Sequence, residues 1–467
     1  MNTPTSAHEH RPPKRQKVMN EGEDKISNLP ECIISSILSL LPTKDALRTC
    51  VLSKAWINHW RSITNFDMDD NDLHFNSGKC PSQERFRSFV YRSLMLTKFP
   101  RLDSFSLSIH YHHDMSSLNN WIAGALNRLL KKLCVKSKRK LSFSFLTSHS
   151  LLTSKNLEEL EISMSYYSAK ITVPVSHVRL GQLKFLTLHE VKFSCSSKDL
   201  ELSVPLLQKL ETVNCRWFGA KYVTFNAPLL ETVDITQHSK SSSLNGNCQI
   251  KFLALHLREF CYRDYGYRSL FVIKIDPSSS QNASATLILP PYKKRVSLRV
   301  QRSALLLLKR FCRVRYLKFG GPDILSEHVA LLPEFGMLSH LELDSVTAEF
   351  LLGLLLKTPI LNTLIVERLE SISDKALLES AGVVPDCLRY TLQVVKFRDF
   401  CGDEHELCFA KFVMEKGSVL KKMSFSLSHL FVKSEDIEEL KEKLFALRKC
   451  LTSTIVEVLK EDYYNFW

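Results

Sequence analysis

The sequence predicts an α/β fold in three parts. A small three-helix unit comes first, an irregular solenoid of short parallel strands follows, and an α/β segment caps its C-terminal end. Three observations predict this. Residues 24–66 pack proline-bounded helical patterns close together. From residue 102 to residue 425 the chain repeats an apolar triplet at i, i+3 and i+5. Beyond residue 384 the pattern changes to strand, glycine turn, helix, strand. The boundaries read as a disordered basic tail over 1–23, the helical unit over 24–68, a linker helix and solenoid over 69–384, and the C-terminal region over 385–467.

The helical unit is DKISNLPECIISSILSLLPTKDALRTCVLSKAWINHWRSITNF. Pro30 suits a first helical turn, and Asn28 before it can cap that turn. Ile33, Ile34, Ile37, Leu38 and Leu41 then form one broad apolar stripe at helical spacing. Pro42 ends the helix, because a helix interior cannot spare the missing N–H. Thr43 can cap a second short helix with Asp45 in its first turn, and Ser53 a third that carries Trp56 and Trp60 one turn apart. So short a segment cannot bury two Trp and its aliphatics alone, so part of its surface calls for a partner.

These residues resemble a plant-type F-box. The resemblance rests on Leu29-Pro30, the stripe through Ile37–Leu38, Leu41-Pro42-Thr43-Lys44-Asp45-Ala46, Val51-Leu52-Ser53-Lys54 and the Trp56/Trp60 pair. It covers about a tenth of the chain; Ala55 departs from it, since the family often has Arg there. The resemblance implies docking on a Skp-type adaptor, and through it a cullin–RING ubiquitin ligase. Leu29, Pro30, Ile33, Ile34, Ile37, Leu38, Leu41, Pro42, Leu47, Val51, Leu52, Trp56 and Trp60 are the expected adaptor surface or its immediate support.

Residues 83–99 read as a helix with Phe86, Phe89, Val90 and Met95 near one face, closed by Pro100. The triplets then follow: Leu102/Phe105/Leu107, Leu157/Leu160/Ile162, Leu183/Leu186/Leu188, Leu230/Val233/Ile235, Leu257/Phe260/Tyr262 and Val314/Leu317/Phe319. Leu338/Leu341/Leu343, Leu361/Leu364/Val366, Leu392/Val395/Phe397 and Leu420/Met423/Phe425 continue them, with a weaker copy at Leu210. Neighbouring copies in the clearest stretches lie roughly 23–28 residues apart, within the range of leucine-rich repeats. Each alternating L-x-L is a short strand, and each coil buries its apolar edge only against its neighbours, so coils stack. Returning segments such as 348–356 and 374–380 look helical. Most repeats lack the Asn that would ladder the turns. Two Ser/Asn-rich stretches, 239–249 and 276–285, break the period and read as loops.

Near the C-terminus, Val384-Pro385-Asp386-Cys387-Leu388, Leu392, Val395, Phe397, Phe400, Gly402, Glu406, Phe412-Val413 and Val419-Leu420-Lys421-Lys422-Met423 resemble the FBD motif, which accompanies plant F-box/leucine-rich-repeat proteins. Gly402 suits a tight turn. A helix over 405–415 would turn Phe409, Phe412 and Val413 inward. An amphipathic helix over 434–449, with Ile437, Leu440, Leu444 and Leu447 on one side, reads as the end cap of the solenoid.

Composition limits the function. The net charge is +14, but Lys and Arg are spread along the chain and no cluster interleaves with stacking aromatics, so nucleic acid is not the expected partner. The N-terminal Arg11–Val18 run differs. Its Lys14, Arg15 and Lys17 lie in a polar, Pro-containing tail and resemble a nuclear localisation signal. Nucleus, cytoplasm or both are the expected locations. No apolar leader opens the chain and no apolar run can span a bilayer, so neither secretion nor membrane insertion is expected. The 13 Cys contain no C-x-x-C and read as reduced thiols.

No phosphate-binding loop, zinc-protease motif or nucleophile elbow occurs, so neither catalytic residues nor a cofactor are expected. His110, His112, His113 and Asp114 form the one metal-like cluster, read as an ordinary polar loop after a strand, with no metal expected. The function expected is a non-catalytic substrate receptor of a ubiquitin ligase, its solenoid holding an unidentified protein target. The other reading is a basic leucine-rich-repeat binding scaffold that acts outside a ligase, with the nucleus as one location open to it.

Overall fold

In a computed structural model the described residues are 29–52, 55–73, 82–96, 101–139, 142–143, 151, 154–165, 169–173, 176–238, 248–265, 272–275, 283–289, 298–370, 383–428, 434–448 and 455–460. Lys14, Arg15, Lys17, Asn28 and Ser53 lie outside them. The chain divides into two compact units, Met1–Ile63 and Thr64–Trp467.

The first unit holds α1 (Glu31–Ser39), α2 (Thr43–Arg48) and two 3-10 segments, Thr49–Val51 and Ala55–Ser62. Both prolines stand one position outside their helices. Pro30 is the N-cap of α1 and its carbonyl accepts the amides of Ile33 and Ile34 at 2.9 and 3.1 Å. Pro42 does the same for Asp45 and Ala46 at 2.9 and 3.0 Å. Thr43 is therefore not a cap but the first residue of α2, buried in the unit.

The second unit is built on a fifteen-stranded sheet in which every pairing is parallel and spatial order follows chain order. Its strands are Asn65–Asp69, Ser104–Ile109, Lys132–Ser137, Glu159–Met164, Phe185–His189, Lys209–Val213, Thr232–Gln237, Glu259–Asp264, Ser284–Ile288, Tyr316–Gly320, His340–Thr347, Thr363–Glu370, Val394–Phe400, Lys422–Leu427 and Ile455–Lys460. The last two residues of every apolar triplet named in full fall on one of them, the first stands two residues before the strand, and register aligns the triplets. Phe105 pairs with Leu133, Leu133 with Leu160 and Leu160 with Leu186, and the row runs on through Leu341, Leu364, Val395 and Met423 to Val456. These side chains are buried. In the adjacent row Thr212 occupies a position held by Leu188 and Ile235 on its neighbours, which is why the Leu210 copy is faint.

Four strands of this sheet escape the triplet reading. Asn65–Asp69 carries buried Phe66 and Met68 and pairs with Ser104–Ile109, so residues 65–68 belong to the sheet and not to the helical unit. Lys132–Ser137 follows the triplet Leu130/Leu133/Val135. Ser284–Ile288 corrects the loop reading of 276–285 at its end: Ala285 pairs with Phe260 and Leu287 with Tyr262, while 276–282 lie outside the described residues. Ile455–Lys460 is the last strand.

Connections between the strands vary. α3 (Ser82–Leu96), α4 (Met115–Leu126), α5 (Leu298–Arg310) and α6 (Ala348–Leu355) are helical. Between residues 142 and 274 they are instead short strands, forming two further parallel sheets. One has the order Val272–Lys274, Gln249–Leu253, Tyr222–Asn226, Asp199–Ser203, His177–Arg179. The other runs Arg216–Phe218, Val191–Cys195, Ala169–Val173, Ser142–Phe143. On α3 Phe86 and Val90 are buried as expected, but Leu94 turns inward and Met95 outward. A ladder joins the turns after three successive strands. Asn214 donates its side-chain amide to Glu190 at 2.7 Å and accepts the His238 N–H at 2.6 Å.

The C-terminal region extends the sheet. α7 (Asp386–Tyr390), α8 (Glu404–Lys416) and α9 (Ser434–Arg448) alternate with its last three strands. Phe409, Phe412 and Val413 are buried on α8, and Leu440 and Leu444 on α9. α9 is therefore not the end cap expected. It is the crossover that a parallel pairing requires, leading to Ile455–Lys460 at the sheet edge. Residues 374–380 and the side chains of Ile437 and Leu447 lie outside the described set. Among the described residues the cysteines are free, and no helix is long and apolar enough to cross a membrane.

Candidate functional site

The broad apolar stripe of α1 is split by the fold. Ile34 and Leu38 are buried with Ala46, Trp56, Trp60 and Ile63, while Leu29, Leu47 and Cys50 pack against them partly covered. Burial pushes the Cys50 thiol above its ordinary value. Ile33 is 46% and Ile37 41% exposed, and Leu41 38%. Positions 33 and 37 are one turn apart and share one side of α1, and Leu41 follows just past the helix end. Val51 and Leu52 in the next turns are exposed as well. Pro30 and Pro42 are exposed at the helix starts.

The thirteen residues expected at the site therefore have two roles. Ile34, Leu38, Trp56 and Trp60 form the support, with Leu29 and Leu47 at its margin. Ile33, Ile37, Leu41, Val51, Leu52 and the two prolines form the outer surface. Leu40 was missed by the sequence reading and is 85% exposed; the Leu40-Leu41-Pro42 run was its signal. This small unit keeps an apolar interior and presents an apolar exterior on the same short helices, an arrangement that fits a hydrophobic docking surface.

The other candidates resolve into structural roles. Asp70 is buried and gathers the polar loop at His110. It accepts the backbone N–H groups of His110 and Tyr111 at 2.8 and 3.0 Å, and contacts the His110 and His113 rings, both at 3.1 Å. Burial alone would raise the Asp70 carboxyl, but the His113 contact and the two amides hold it below its ordinary value. Asp69, Asp70 and His110 bring three ligand-type atoms close together, and these hydrogen bonds account for that geometry. His112 is exposed. Asp114 caps α4, accepting the Ser117 N–H at 2.7 Å.

In the C-terminal region Glu406 is buried in the first turn of α8. One of its oxygens accepts the N–H groups of Cys401 and Gly402 at 2.8 and 2.7 Å. His405 meets the Leu369 carbonyl at 3.0 Å. The open face of the large sheet carries cross-strand ion pairs, including Lys132–Glu159, Lys136–Glu161 and Arg263–Asp234.

Comparison with known proteins agrees with these two regions. The F-box domain model matches residues 26–67 and the FBD model residues 380–425. An F-box/FBD/LRR-repeat protein of Arabidopsis thaliana is 30% identical over 434 residues, covering 88% of this chain and 90% of its own. An FBD-associated F-box protein of the same plant is 25% identical over 461 residues, 91% and 96% of the two chains. An F-box/LRR-repeat protein is 25% identical over 461 residues, 94% and 95%. With an F-box at the start, an FBD near the end and relatives alike over nearly the whole length, the chain belongs to the plant-type F-box/FBD/LRR-repeat family.

Proposed function

We propose that the chain is the substrate-recognition subunit of an SCF-type cullin–RING ubiquitin ligase. A Skp-type adaptor docks on Ile33, Ile37, Leu41, Val51 and Leu52 in the helix-in-groove manner. The chain performs no catalysis itself: it holds a target near a ubiquitin-charged enzyme and so raises effective concentration. The second unit, read as a leucine-rich-repeat solenoid, holds the target. The observation that carries the reading is the alternation on α1, where Ile34 and Leu38 are buried while Ile33 and Ile37 stay exposed. The test is adaptor and cullin pulldown with the double variant Ile33→Asp/Ile37→Asp. Both positions face outward, so the variant keeps its core and loses the adaptor; undiminished capture by the folded variant refutes the assignment.

For location, we propose nuclear import through Lys14, Arg15 and Lys17. Replacing all three with Ala shifts a fluorescent fusion toward the cytoplasm. An unchanged distribution leaves the tail as a solvated terminus.

A further inference from the structure

Lys251 and Lys274 are register partners on the adjacent strands Gln249–Leu253 and Val272–Lys274. Two ammonium groups opposite one another on one sheet face repel, and such pairs are destabilising. Among the described residues neither forms an ion pair with a carboxylate. The acid in the same row, Glu201, is separated from Lys251 by Thr224 and lies against His177 at 3.7 Å. Lys274 instead reaches the Tyr222 ring, with Nζ 5.9 Å from its centroid.

These two lysines line a groove of about 630 Å³. Buried Phe252 and Ile275, exposed Leu253 and Leu255, and Arg310 at the end of α5 also line it, and among the described residues no carboxylate does. The volume is that of a small-ligand site, enough for a few residues and not for a folded domain. Cations over an apolar lining require both negative charge and an apolar side chain from the occupant. Tyr222, the exposed ring beside the lysines, already carries Lys274 on its face, whereas single-stranded nucleic acid stacks successive bases on open rings, and a bare phosphate would leave the two leucines in water.

We propose that this groove binds an acidic peptide segment of a partner protein, with its carboxylates on Lys251 and Lys274 and an apolar side chain against Leu253 and Leu255. The occupant would relieve the repulsion that the strand register builds in. The proposal does not depend on ligase membership, since it concerns the second unit and is read without an adaptor.

The test uses the purified full chain and an array of labelled nonapeptides bearing three or four Asp/Glu and one or two Leu/Phe. A charge-reversed array and a nine-nucleotide RNA serve as alternatives. Members of the acidic array are expected to bind saturably and more weakly at high salt. Lys251→Glu/Lys274→Glu should weaken them at least tenfold. The matched control Lys309→Glu/Arg313→Glu, which changes exposed cations outside the groove by the same charge, should not. A second readout needs no ligand: Lys274→Glu should raise the melting temperature by about 1–3 °C by turning a repulsive pair into an attractive one. Equal binding of the two arrays, affinities unmoved by the groove variant, tighter binding of the RNA, or a lowered melting temperature for Lys274→Glu overturns the proposal.

Discussion

Arg398 reaches Glu342 across an entire strand, its guanidinium 2.7 Å from the carboxylate. The strand between them contributes buried Ile365, the register partner of both Glu342 and Lys396. Lys318 approaches the same carboxylate from the other side, and the Tyr316 hydroxyl donates to it at 3.1 Å. Burial alone would raise the Glu342 carboxyl, but the Lys318 hydrogen bond and the charges of Arg398 and Lys318 hold it below the ordinary carboxylate range.

Glu342→Ala leaves two cations without their shared anion and should cost about 1–3 kcal/mol in urea unfolding. That is less than for a fully buried pair, because both cations are about a third exposed. The sign of the pH effect follows from the lowered value. The contribution is present above the unfolded carboxyl pKa of about 4.3 and is lost as pH falls through the lower folded value. The stability gap between wild type and Glu342→Gln should therefore be widest near neutral pH and close in acid. A gap that widens below pH 4 contradicts the assignment.

Ile37 and Leu38 are neighbours with opposite fates. Leu38→Asp places an unpaired charge in the buried cluster with Trp56 and Trp60 and should unfold the first unit. Ile37→Asp should leave it folded. Tryptophan fluorescence and limited proteolysis of the two single variants distinguish them, and equal damage from both would mean that Ile37 is also a core residue.

Gly402 has φ +72°, and a Cβ there would lie 2.5 Å from Leu440 Cδ1. Gly402→Ala combines left-handed backbone strain with that overlap and should destabilise by roughly 1–3 kcal/mol. Gly336→Ala meets no atom within 4 Å and has no positive φ, so it serves as the neutral comparison in the same unfolding assay.

Truncation after Ser428 removes α9 and the Ile455–Lys460 strand together. It bares the edge of Lys422–Leu427 and uncovers the surfaces against which Leu440, Leu444 and Val456 pack. An open strand edge with exposed apolar surface associates with other chains. Light scattering should show aggregation of the truncated chain, while adaptor capture by its first unit persists. A monodisperse truncation as stable as the full chain would make the last strand dispensable.

What the sequence disclosed and what it hid follow from side-chain size and periodicity. Strands with leucine-sized residues at i, i+3 and i+5 were readable, because burial on one face repeats that spacing. The Ser284–Ile288 strand was hidden because Ala285 stands where its neighbours have Phe260 and Leu317, and the run before it is rich in Ser and Asn. The Asn65–Asp69 strand was hidden because it follows directly on the Trp56/Trp60 segment and was absorbed into it. The two smaller sheets were obscured by strands of two to five residues, too short for alternation to stand out. At the candidate site the apolar residues were visible but not their direction. One stripe of β-branched and leucine residues cannot say which edge faces the core until a second surface, here Trp56 and Trp60, covers one side of it.

Because chain order and spatial order coincide in the large sheet, a nascent chain leaving the ribosome always meets its correct template. Each new strand finds the preceding one already laid down, and no strand waits for a segment not yet made. Loop closures stay short for an all-parallel sheet, which normally folds slowly because its pairings are distant in sequence. Growth from the first strand to the last therefore keeps only one edge open at the growing front, a form of assembly matched to N-to-C synthesis.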